Sequence, residues 1–247
     1  MRSSLKSEFR KLLTVRSTYI ITGLIVALLV LIAFYGEGWR LSGLALLNPS
    51  QLSSDVTGGL NLTLFSAIIA ILLMTHEYRH NTIGYTFTSS RKRSTVLLSK
   101  IITVSAYSLF LAILVGILSP LLSYLGILAH GNTLVHQNID IWDLAWRGIY
   151  YSWGYGMAGL LIATLVRSQV AAIAALLLIP NLVEPLLILL LKQNAIYLPF
   201  AALSQLLDRM SASGGSLSAG KAALVFSGYL IIGWAIVWYM FLERDAE

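Results

Sequence analysis

Cysteine is absent from the 247 residues, which excludes disulfides and thiol chemistry. Histidine is scarce, and four residues leave little material for a metal site. Charge is the most telling shortage: Asp, Glu, Lys and Arg make up 11% of the chain, against about a quarter in soluble domains. In their place stand 57% hydrophobic residues and a mean hydropathy of +0.78, the composition of an integral membrane protein. The net charge of +6 does not imply a nucleic-acid partner, because excess Lys and Arg in a membrane protein normally records which loops stay in the cytoplasm.

A helix crosses the hydrocarbon core with about 20 mainly apolar residues. Six stretches qualify: 18–35, 56–75, 96–118, 148–166, 170–191 and 222–242. The third can run on to Leu128 past Pro120, since proline is tolerated in membrane helices when neighbours satisfy the freed carbonyl. The first follows a basic stretch as a signal peptide would, yet it is long for such a segment and no small-x-small cleavage site follows "LIAFYGEG". It reads as a retained helix.

Twelve of the 17 Lys and Arg residues lie before span 1, between spans 2 and 3, between 4 and 5, or after 6. The other five are Arg40, Arg147, Lys192, Arg209 and Lys221. By the positive-inside rule both termini and the 2–3 loop are cytoplasmic. The longest pieces between spans, 36–55, 129–147 and 192–221, fall outside and are too short to fold alone. Residues 1–247 therefore form a single transmembrane domain. In the last of these pieces, Ile196, Leu198, Phe200, Leu203, Leu206 and Leu207 suit a short re-entrant helix dipping into the outer leaflet. No repeat of 20 to 50 residues and no inverted-repeat pair is visible, which disfavours several secondary-transporter folds.

Two polar segments carry more than a topology signal requires. In "LKSEFRKLLTVRS", within residues 1–17, Leu5, Phe9, Leu12 and Leu13 share one helical face and Lys6, Arg10, Lys11 and Arg16 occupy the rest, as in an amphipathic interfacial helix. The plainer reading is a basic topology signal, and Glu8 argues against a pure lipid-binding patch. In the loop over residues 76–95, "HEYRHNTIGYTFTSS" is followed by Arg91, Lys92 and Arg93, with Ser89 or Ser90 available as an N-cap. Cations alone would fix topology. The acid Glu77, the apolar side chains of Tyr78, Ile83, Tyr85 and Phe87, and the loop length point instead to a short interfacial helix that binds something in the cytosol. The alternative is a solvated loop.

These segments resemble those of the membrane subunits of type-2 ABC exporters with the type V fold. That family has an "E-[FY]-x-K" helix before span 1, then "E-x-R-x-G-T" and "P-x-[SR]-R" between spans 2 and 3, with a Lys soon after. Glu8, Phe9, Arg10 and Lys11 resemble the first pattern, Glu77, Arg79 and Thr82 the second, and Arg91, Arg93 and Lys100 its basic tail. Asn81 stands where glycine is usual, and Ser89 or Ser90 where proline is. The resemblance implies a six-helix all-α fold with both ends inside and a re-entrant segment between spans 5 and 6. It implies a plasma-membrane permease subunit that moves an amphipathic or hydrophobic substrate outward. Its partners would be two cytosolic ATPase subunits, which bind ATP and Mg, and a second copy or related permease. Glu77, Arg79, Thr82 and the Arg91 to Arg93 run would form the coupling surface, with Glu8, Arg10 and Lys11 as supporting contacts. This chain would hold no cofactor and no catalytic residue of its own. The family places the pathway at the dimer interface, lined by spans 2 and 5.

One motif misleads. "GSLSAGKA" matches a phosphate-binding loop except that Ala222 replaces the hydroxyl that ligates Mg²⁺, and no strand precedes it. Within span 5, Glu184 is the one acid deep inside an assigned span, roughly 21 Å from Val170 along the helix axis. A carboxylate near the bilayer centre costs about 2.5 to 3.5 kcal/mol on insertion scales, so it requires a cavity, a partner or reach to an interface. Glu184 and Asn181 are the polar candidates for lining the pathway. Alternatively Glu184 satisfies carbonyls freed by Pro180 and Pro185, pairs with a base such as Lys192, or relays protons in a proton-coupled secondary transporter or channel. In span 4, Ser152, Gly154, Gly156 and Gly159 permit close helix approach, inside one subunit or at a dimer seam. Trp142, Trp146, Tyr150, Tyr151 and Trp153 read as an aromatic belt, and His130, His136, Asp140 and Asp143 as a solvated loop without metal-ligand spacing.

Overall fold

In a bilayer every backbone N–H and C=O must find its partner within the protein, and a helix does this within one segment. The computed structural model describes residues 5, 7, 9, 10, 12, 14, 16–40, 60, 62–79, 93–131, 141–207 and 217–243, and every regular element among them is helical. The elements are α1 (Arg16–Leu29) with a π-helical continuation (Val30–Trp39), α2 (Thr63–Arg79), α3 (Arg93–Ala129) and α4 (Ile141–Val166). Next come α5 (Gln169–Leu178), a π-helical turn (Ile179–Val183), α6 (Glu184–Leu191), a 3₁₀ segment (Lys192–Tyr197), α7 (Pro199–Gln205) and α8 (Ala219–Glu243).

Five of the resulting helical segments are long and apolar enough to cross a membrane: Thr18–Trp39, Ile101–Ala129, Trp142–Val166, Gln169–Tyr197 and Ala219–Met240. The apolar part of α2, Thr63–Thr75, is shorter, and residues 56–59 and 61 of the expected second span lie outside the described residues. Span 1 runs further than residue 35 because its helix continues in the wider π geometry to Trp39. Span 3 passes straight through Pro120. Its 37 residues measure about 55 Å, well beyond the hydrocarbon thickness, so it must tilt or project.

Lipid offers no hydrophobic drive for helix association, so close packing at small residues carries it. The glycines of α4 show where this happens. A Cβ on Gly159 would lie 2.9 Å from the Ala67 carbonyl oxygen in α2, one on Gly156 2.8 Å from Ser108 Oγ in α3, and one on Gly154 2.8 Å from the Phe226 ring in α8. The small-residue stripe of span 4 is thus spent on packing inside the subunit. Around α4 the buried core gathers Ala67, Ala70 and Ile71 of α2, Leu111 and Val115 of α3, Leu176 of α5 and Phe226 of α8. A second close crossing joins the C-terminal part of span 1 to α3, where Gly38 faces Gly126.

Aromatic side chains are exposed near helix ends, among them Tyr19, Trp39, Trp142 and Tyr239, and also mid-helix at Phe110 of α3 and Tyr229 of α8. Of the expected belt on α4, Trp142 (83% exposed) and Trp146 point outward. Tyr151 is buried, and Tyr150 bonds to α8, donating to the Ala223 carbonyl at 3.0 Å with Ser227 Oγ 2.6 Å away.

Candidate functional site

Span 5 is the least covered of the helices. Along it Val170, Leu178, Leu182, Leu186, Leu189 and Leu190 are all exposed. Pro180 and Pro185 remove two backbone donors, and the helix answers by widening into the π turn between them. Asn181 sits on this turn, exposed, and donates from Nδ2 to the Leu177 carbonyl one turn back at 2.8 Å.

Glu184 follows directly and turns the other way. It is 4% exposed, and its carboxylate accepts two backbone hydrogen bonds, from Phe200 N–H to Oε1 at 2.8 Å and from Ala201 N–H to Oε2 at 2.7 Å. These donors are orphan amides of the first turn of α7, which no intrahelical carbonyl reaches. The reason lies in the local sequence. α7 starts at Pro199, well suited to a first helical position, but its N-cap is Leu198, which has no side-chain oxygen to offer. The cap is therefore supplied from 16 and 17 residues earlier in the chain. The partners of Glu184 are amides, not carbonyls freed by the prolines, and not Lys192, whose side chain is exposed.

This contact fixes where α7 sits. The chain rises two turns through α6, continues through the 3₁₀ segment, extends at Leu198 and returns so that the start of α7 lies level with the start of α6. α7 then packs its buried Phe200, Ala202 and Leu203 inward. Phe200 meets Tyr155 of α4 at 5.2 Å between ring centroids, and Leu203 presses with Phe226 against Gly154. Gln205 closes the other end, accepting the Leu217 N–H at 3.1 Å just before α8.

The expected cytosolic surface is described only in part. Glu77 and Arg79 belong to the last turn of α2, and Arg93 opens α3, so these two helices bracket the loop. Thr82, Arg91, Lys92, Glu8 and Lys11 lie outside the described residues. Arg10 is exposed in a helical turn whose backbone carbonyl accepts the Thr14 hydroxyl, while Leu12 beside it is buried. Phe9, expected on the apolar face, is 41% exposed.

Five further contacts went unread in the sequence. Ser123 Oγ of α3 donates to Glu37 Oε2 at 3.4 Å, beside the Gly38–Gly126 crossing. Thr22 Oγ1 and the Tyr107 hydroxyl lie 2.6 Å apart and tie α1 to α3. His130 packs its ring edge-on to Trp39, and Asp143 pairs with Arg147 and accepts from Trp146 Nε1. Among the described residues no group of three or more His, Asp or Glu converges as metal ligands would.

Comparison with known families resolves the class. Residues 4–190 match the family model described as ABC-2 family transporter protein, which is most of the chain. The chain belongs to the ABC-2 family of transporter proteins. No curated protein matches it. The matched part of this ABC-2 protein includes the N-terminal segment, the 2–3 loop, Asn181 and Glu184, and stops within α6, short of α7 and α8. Family membership and the apolar helices together make it a multi-pass membrane transport protein, of a family whose membrane subunits typically work with ATPase partners.

Proposed function

We propose that this ABC-2 protein is the permease subunit of an ATP-driven exporter in the plasma membrane, with six spans in the type V arrangement and both termini in the cytoplasm. It works as a pair, with a second copy or a related permease, on two cytosolic ATPase subunits that bind ATP and Mg and perform the hydrolysis. The cargo is amphipathic or hydrophobic and leaves the cell. The loop bracketed by α2 and α3 is the coupling surface, built on Glu77, Arg79, Thr82, Arg91, Lys92 and Arg93 with support from Glu8, Arg10 and Lys11.

The observation that carries this reading is the bare span 5. From Val170 to Leu191 its exposed side is apolar, as lipid demands, except for Asn181 at a widened π turn. The Leu177 carbonyl meets one N–H of this amide, but the rest of it is uncovered; in hydrocarbon that is costly unless a partner or a water-filled cavity meets it, and a pathway at the interface of two permeases provides one or the other. Asn181 lies on that wall, and Glu184 contributes to the same region by holding α7. The family match favours this reading over a proton-coupled carrier or channel.

Because the chain has no native cysteine, Asn181→Cys is a single reporter. A bifunctional maleimide applied to membranes should cross-link it to a second permease, whereas Ile231→Cys on the exposed face of α8 should stay uncoupled. Equal, negligible cross-linking at both positions would remove span 5 from an interface between two copies of this chain.

A further inference from the structure

We propose that Glu184 is a latch: its carboxylate holds α7 in its seat between α4 and α8, so that the outer end of span 5 and α7 behave as one closing element on the extracytoplasmic side. The assignment of side and of a pathway to be closed rests on the exporter reading; the latch itself rests on geometry.

Three observations support it. First, α7 is too short to hold its own position. It has seven residues, no cap of its own and marginal intrinsic stability, so its place depends on contacts from elsewhere. Second, those contacts differ in kind. Toward α4 and α8 they include apolar packing of Phe200, Leu203 and Phe226, which slides apart without leaving a charge unmatched. Toward span 5 they are two charge-assisted hydrogen bonds at a buried site, short and directional, whose loss strands a buried carboxylate. Third, the span that carries the latch is the sparsely covered one, and Glu184 begins directly after the π turn, a local irregularity of the kind that often marks functional positions in helices. A displacement of span 5 is thereby transmitted to α7, and loss of the carboxylate uncouples the two. In these terms Glu184 is a positioning residue, acting through α7.

The test uses the absence of native cysteine. Ala202→Cys places a single thiol at a fully buried position of α7. Its reaction with a membrane-impermeant maleimide, applied from outside to the full-length protein in its membrane, reports how often α7 leaves its seat. With Glu184 present the thiol should be protected. Glu184→Ala should raise the labelling rate about ten-fold or more, the factor expected when charge-assisted hydrogen bonds that hold a local structure are lost. Glu184→Gln, which keeps one acceptor oxygen and presents an NH₂ where the second was, should give an intermediate rate. Glu184→Asp, with both oxygens drawn back by one methylene, should restore more protection than Gln. If the Ala variant fails to insert, the order Glu, Asp, Gln decides. Labelling unchanged in both Gln and Ala, or raised equally in Asp and Ala, would overturn the latch. The measurement needs neither cargo nor ATPase, so a protein that labels as predicted yet co-purifies with no ATPase would keep the latch and lose the exporter.

Discussion

At the residue scale, single atoms decide which helices can touch. A methyl on Gly126 would stand 2.8 Å from the Gly38 Cα and 2.9 Å from the Trp39 amide nitrogen, and would also meet the Phe34 carbonyl oxygen. All three are backbone, so none can swing away. Gly126→Ala should therefore destabilise the protein by about 1 to 3 kcal/mol, the usual cost of overpacking, visible as a lower unfolding temperature in detergent. Gly23→Ala is the control: nothing lies within 4 Å of a Cβ there, and the change should be neutral or slightly stabilising in a helix interior. Tyr150→Phe removes the hydroxyl that meets Ala223 and Ser227 and should weaken the α4–α8 contact by about 0.5 to 1.5 kcal/mol, again read from thermal unfolding. The sequence revealed that Glu184 needed a partner but not which one. An acid in a span signals a cost, whereas its acceptors' mates were backbone amides, which carry no side-chain signature. The readable clue was the pairing of Pro199 at a helix start with Leu198 as a cap that has nothing to donate or accept.

At the scale of elements, the apolar runs announced the spans because length and hydropathy are the properties a bilayer selects. The ends were less legible. Span 1 outlasts its apolar run because its π-helical continuation packs Gly38 on α3, a tertiary contact that periodicity does not encode. Span 4 starts at Ile141 because the local set of Asp143, Trp146 and Arg147 stabilises an extra polar turn before the apolar stretch. Pro120 leaves α3 unbroken: the carbonyl it frees is that of Gly116, at the tight crossing with Gly148 and Ile149 of α4. Gly116→Leu should separate those two helices, with strongly reduced levels of inserted protein on a membrane immunoblot, because its Cβ would lie 2.6 Å from the Ile149 backbone nitrogen. In sequence the span 4 glycines read by default as internal packing, with a dimer seam as the alternative. Their neighbours Ala67, Ser108 and Phe226, scattered over three other helices, were what distinguished the two.

At the scale of the molecule, α2, α3, α5 and α8 pack around α4, while the rest of span 5 beyond α5 leaves its apolar face and Asn181 uncovered. Such an uneven distribution suits the proposed half-transporter, in which a second permease and a motor on the cytosolic end would make the remaining contacts. The central claim is that the loop between α2 and α3 is where that motor binds. Its most direct test is co-purification of a cytosolic ATPase with the full-length protein and with a variant carrying Glu77→Lys and Arg79→Glu together. The account predicts that the unaltered protein retains the ATPase and that the charge-reversed variant reaches the membrane in normal amounts but loses it. An unaltered protein that brings down no ATPase, or a reversed variant that still assembles fully, would contradict it.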